Sequence, residues 1–176
     1  MATEGKKTTT PKKTKKEPEK EKKTTYKVKT QLDPHMLVPV KNGFAGMLFY
    51  RSKRTGEEFT WEHFGDEQDM ELGELKAARN SARAFFERNY FLIDDPEIIE
   101  YLNAKQYYKD AFTVEDFENL FTSDPEEIMS LVNVLSVGQK NTLKYMAKQK
   151  IADGEIDSLK VIEALEKSLG VELVER

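Results

Sequence analysis

The sequence predicts an α+β fold: a small N-terminal β-meander or partial barrel followed by a compact bundle of short α-helices, preceded by a disordered basic arm. Three observations carry this expectation. Lysines crowd residues 1–30, short aromatic runs alternate between residues 37 and 63, and helical spacing governs the chain from about residue 73.

The arm comes first. Residues 1–30 hold eleven Lys against four Glu, a net of +7. The whole chain has 28 basic and 32 acidic side chains, which leaves 17 and 28 for residues 31–176, a net of −11. The stretch KKTTTPKKTKKEPEKEKKTT has almost no apolar side chain to offset the entropy of ordering, and Pro11 and Pro18 oppose a continuous helix. It reads as disordered in isolation.

The β-rich segment follows. Val38 and Val40, then Met47–Tyr50, then Phe59 and Trp61 form short runs separated by Asn42-Gly43 and Lys53-Arg54-Thr55-Gly56, both turn signals. Strands are expected near 37–41, 45–52 and 57–63. Residues 67–72 read either as a fourth strand or as the approach to a helix. Gly43 and Gly46 of NGFAG read as turn glycines.

Leu75, Ala78, Ala82, Phe85 and Phe86 then keep spacings of three and four, which predicts one amphipathic helix. Tyr90–Ile93 reads as one more strand, and Asp95-Pro96 opens a helix with a carboxylate cap and a Pro in the first turn. Thr113 caps the next helix with Asp116 three residues on, and Phe112 and Phe117 occupy the staple positions. Asp124-Pro125 starts another. Ser136 and Gln139 form a capping box for a third, which Gly154 ends; Asp157-Ser158 begins the last, closed by Gly170. The expected division is an arm (1–30), a β-rich subdomain with one helix (31–95) and a helical subdomain (96–176).

The chain lacks cysteine, which excludes disulfides, thiolate metal sites and cysteine nucleophiles. His35 and His63 are the only histidines, so no metal and no cofactor is expected. His63 alternates onto the same face as Trp61 and reads as partly buried. Phosphate-binding glycine loops, HExxH and GxSxG are absent. Asp66, Glu67, Asp69 and Glu71 read as a solvated turn, and Asp94, Asp95 and Glu97 as a helix N-terminus. A small hydrolase or nuclease would rest only on Asp66, Asp69, Asp94 and Asp95. No catalytic residue is assigned, and the chain is not expected to be an enzyme.

The arm carries the functional expectation. Lysine-rich segments neutralise phosphates and bind polyanions without sequence preference. This one lacks Arg and has Tyr26 as its only aromatic, which weighs against base readout and stacking. A protein partner or a solubilising role is therefore placed ahead of nucleic acid. The candidate contacts are Lys6, Lys7, Lys12, Lys13, Lys15, Lys16, Lys22 and Lys23, with Arg51, Lys53 and Arg54 at the expected hairpin tip. A helix-turn-helix reading of residues 136–169 is disfavoured, because the second helix exposes Glu163 and Glu166 beside Lys160 and Lys167.

The stretches GMLFYRSKRTGEEFTWEHFGDEQDMELGELKAARNS, FFERNYFLIDD and SVGQKNTLKYMAKQKIADGEIDS resemble small accessory and structural proteins of tailed bacteriophages and prophages, over about residues 37–170. The resemblance implies a virion or assembly component of capsid, neck, tail or baseplate, located in the virion or the host cytoplasm. It carries no functional residue across. The expected partners are other protein subunits, with nucleic acid through the arm as the alternative and self-association admitted. No signal peptide or membrane span is expected.

Overall fold

A computed structural model of the chain describes residues 32–174. The expected arm, with its eight candidate lysines, lies outside them. The described residues belong to one compact unit.

Strand β1 (Leu37–Asn42) turns Val38, Val40 and Asn42 inward and leaves Leu37 and Pro39 outside, the period-two pattern of a half-buried strand. A hairpin, β2 (Leu48–Arg51) and β3 (Glu58–Trp61), follows, then β4 (Glu67–Glu71). Residues 67–71 are thus a strand, and helix α1 (Leu72–Ser81) begins directly after it.

The β-rich half precedes the helices as expected, but its strand order is not that of a simple meander. β1 lies between β4 and β5 (Phe91–Leu92), antiparallel to both, while β2 and β3 form their own ladder. The Gln68 side chain donates to the Thr60 carbonyl and joins the two ladders where no backbone ladder does. Trp61 Nε1 adds a second tie, 2.9 Å to the Val40 carbonyl.

The helix expected over residues 73–86 is two. Ala82 leaves the helical region (φ −137°, ψ 49°), and α2 spans Ala84–Glu87. On a straight helix Phe85 and Phe86 would stand about 100° apart, at the two edges of the apolar stripe. The break brings both Phe85 and Phe86 onto Phe91, at 4.8 and 5.6 Å between ring centroids. Phe91 also meets Tyr50 and Trp61, each at 5.5 Å. Aromatic pairs of this kind contribute about 0.5–1.5 kcal/mol each beyond burial.

Helix α3 (Pro96–Tyr101) opens at Asp95, whose carboxylate accepts from the Glu97 and Ile98 amides. Asn103 (φ 52°) ends it, and a short α4 (Lys105–Tyr108), unforeseen in the sequence, follows. The first core cluster gathers β1–β5 and α1–α2 and extends to Ile98, Leu102 and Ala104.

The second cluster is helical. Helix α5 (Val114–Leu120) carries the full Thr113–Asp116 capping box, and Phe112 meets Phe117 edge-on at 5.6 Å, as a hydrophobic staple requires. Helices α6 (Pro125–Val134), α7 (Val137–Ala152) and α8 (Leu159–Leu169) complete it, with Gly154 (φ +76°) and Gly170 (φ +65°) in left-handed positions after α7 and α8. Only half of the expected Ser136–Gln139 box forms. Ser136 Oγ accepts from the Gln139 amide, but the Gln139 side chain turns away and pairs with both backbone groups of Phe112.

The clusters meet at a backbone crossing. A Cβ on Gly43 would lie 2.1 Å from the Asn89 carbonyl oxygen, and one on Gly138 2.0 Å from that of Arg88. Gly43, read from the sequence as a turn glycine, is thus needed for close approach. Thr142 Oγ1 donates to the Gly43 carbonyl at 2.9 Å, linking residues 99 apart. Neither backbone can withdraw, so Gly43→Ala or Gly138→Ala is expected to destabilise the protein by at least about 2 kcal/mol. Urea unfolding checks this, as a lowered midpoint at unchanged slope.

Candidate functional site

The described part of the candidate site is the β2–β3 hairpin tip. Ser52 shapes it: its Oγ accepts from the Arg54 and Thr55 amides at 3.0 and 2.9 Å, and Gly56 takes φ +80°. Arg51, Lys53 and Arg54 are brought together, yet they are not equally available. Arg51 lies 3.7 Å from Glu58, and Lys53 Nζ is 3.5 Å from the Ser81 carbonyl. Arg54 folds back onto the body. Its Nε donates to Glu74 and its Nη2 to Glu71, both at 3.1 Å.

Behind Arg54 lies a polar group that the sequence did not single out. Glu74 is 2 % exposed and accepts the Tyr50 hydroxyl proton at 2.7 Å. Burial acts to raise its pKa, but hydrogen bonds from Tyr50, Ser52 and Arg54 outweigh it and hold Glu74 below the usual carboxylate value. Tyr50 shifts up, first through burial and then through Glu74. Glu71 also accepts from His35 at 3.4 Å. The signal available in sequence was a lone acid on the apolar side of α1, one residue before Leu75.

Three of the four aspartates weighed for acid–base or metal work are held in other roles. Asp66 accepts from the Glu62 and His63 amides and shapes the β3–β4 turn. Asp94 pairs with Lys41 at 2.6 Å, Asp95 caps α3, and Asp69 sits on β4 opposite Pro39. Among the described residues, no group of three or more His, Asp or Glu is placed to hold a metal ion. Two shallow hollows of about 220 and 320 Å³ flank Asp94; Leu92, Ile93 and Tyr108 line one, and Val38, Pro39 and Ile98 the other.

His63 is a correction. Its side chain is 79 % exposed, 3.5 Å from Asp66. β3 ends at Trp61, so the alternation that would have tucked His63 beside Trp61 stops before it.

The described surface also shows unpartnered apolar side chains. Phe49 is 50 % exposed on the face of β2 opposite to buried Leu48 and Tyr50, and Met47, just before the strand, is 66 % exposed. Leu37, Val134, Val137, Tyr145 and Leu159 are exposed as well. No helix among the described residues is long and apolar enough to cross a membrane.

No protein-family model matches the chain, and no curated protein or solved structure matches it either.

Glu74→Gln keeps the shape and removes the charge that Tyr50 and Arg54 engage. A depressed folded pKa stabilises the protein above the ordinary carboxylate pKa, and that contribution fades as pH falls through the folded value. Urea unfolding is therefore expected to show Glu74→Gln less stable at pH 7 by about 1–3 kcal/mol, with the gap to the parent narrowing below about pH 4.5.

Proposed function

We propose that this chain is a non-enzymatic structural or assembly protein, of the kind found in tailed-phage virions, which docks through its body and its basic arm. The observation that carries the reading is the exposed pair Phe49, on β2, and Met47, just before it. Apolar side chains held out on a rigid strand suit a protein partner that buries them. Support also comes from Asp66, Asp94 and Asp95, whose partners are backbone amides and Lys41 of the same chain. The engagement of Arg54 with Glu71 and Glu74 reduces the weight of the hairpin in a nucleic-acid reading.

In this proposal the Lys-rich residues 1–30 thread against an acidic neighbouring subunit, and the β2 face seats against a second surface. The test is purification from the native source, with limited proteolysis of free protein and of any particle containing it. Cleavage after the arm lysines is expected in free protein and absent in the particle; equal cleavage in both contradicts threading. Met47→Glu combined with Phe49→Glu is expected to lower the copy number in the particle at least severalfold while leaving the thermal midpoint within about 2 °C, since exposed substitutions cost little stability.

A further inference from the structure

One side of α7, with Lys148 exposed and Lys140 and Lys144 half-buried, differs in charge from the acidic body around it. The helix carries Lys140, Lys144, Lys148 and Lys150 and no Asp or Glu. Three of these lysines recur at i, i+4 and i+8, which sets them along one side over about 12 Å of helix. Lys140 lies in the N-terminal part of the helix, where the macrodipole disfavours a cation, and no acidic residue occupies the first turn. The position of Lys140 is therefore not explained by helix stability.

On α7 itself Lys150 is paired, with Glu118 and Glu155. Elsewhere Lys41 meets Asp94, Arg54 meets Glu71 and Glu74, and Lys105 meets Glu100. Lys140 donates to the Asn133 carbonyl, and among the described residues no carboxylate lies within 4 Å of Lys144 or Lys148. Tyr145 stands beside this row, 63 % exposed, and Asn141 and Gln149 are exposed on the same helix.

We infer that this face of α7 is a contact surface for nucleic acid, bound through its phosphate backbone without sequence preference. Unpaired lysines neutralise phosphates, amide side chains add hydrogen bonds, and an outward tyrosine offers a ring to a sugar or an unpaired base. A protein partner fits less well, because lysine is depleted from the cores of protein interfaces. The inference does not depend on the assembly reading above.

The test uses the full chain and its Lys144→Gln/Lys148→Gln variant, with Lys160→Gln/Lys167→Gln on α8 as the control. Binding to a fluorescent 20-nucleotide single strand and a 20-base-pair duplex is followed by anisotropy across a salt series, and Trp61 fluorescence confirms the fold. Each phosphate that a lysine no longer neutralises flattens the plot of log K against log salt by about 0.7 for single strands and 0.9 for duplex. The α7 variant is expected to flatten it by about 1.4 to 1.8, and the α8 control to leave it unchanged. An unchanged slope in a folded α7 variant overturns the proposal, as does an equal change in the α8 control or no binding by the full chain at low salt. Polyglutamate that binds the α7 face as tightly as the strand does also overturns it, by assigning the face to an acidic protein.

Discussion

The two halves of the fold are organised around the Arg88–Asn89 turn, which is gripped between two glycines. Gly43, just beyond β1, and Gly138, in the first turn of α7, let their backbones approach the Asn89 and Arg88 carbonyls more closely than any side chain would permit. Hydrogen bonds then lock the crossing. The Gly43 amide donates to the Tyr90 carbonyl, and the Gly43 carbonyl accepts from Thr142. Asn42 is buried beside it and satisfies all its polar groups: its amide bonds to Asp66, its carbonyl to Gly65, and its side chain to Phe44, Gly46 and His63. An Asn buried with so many partners specifies one arrangement of the segments it joins, because any slip strands several polar groups away from water. Through this crossing the aromatic cluster around Phe91 and the helical cluster around Phe117 are held in register, with Phe64 reaching from the first half onto Phe117.

That rigidity bears on function. Asp66, Asp94 and Asp95 are taken up by a turn, an ion pair and a helix cap. The proposed roles rest instead on surface features: Phe49 on β2 with Met47 just before it, and the lysine row on α7. The Tyr50–Glu74–Arg54 group serves this frame. It anchors the hairpin tip to α1 and draws a cation inward that the sequence placed at an exposed turn.

Features set by local chemistry were legible in the sequence. Asp95-Pro96, Thr113 with Asp116, and the glycines at 154 and 170 act through neighbours a few residues away, and each begins or ends a helix where its chemistry requires. Features set by distant partners were not. The pairing of β1 with β4 and β5 depends on which strands share the core, and adjacency in sequence pointed to β2 instead. Gln139 looked like a capping residue because its other partner, Phe112, lies 27 positions away. Gly43 looked like a turn glycine for the same reason. The α7 lysines were visible as a spacing, but only burial and ion-pair geometry separate an unpaired row from an ordinary solvated face.

The Gly43–Asn89–Gly138 crossing makes one cooperative body of two core clusters, and that cooperativity can be measured. Trp61 is the only tryptophan and lies in the first cluster, whereas α5–α8 build the second and contribute much of the helical signal. Equilibrium unfolding in urea, followed by Trp61 fluorescence and by circular dichroism at 222 nm on the same samples, therefore reports on both clusters at once. Superimposable transitions with one midpoint are expected. Two separated transitions, with the fluorescence and helical signals lost at different urea concentrations, would contradict a single body held by the crossing.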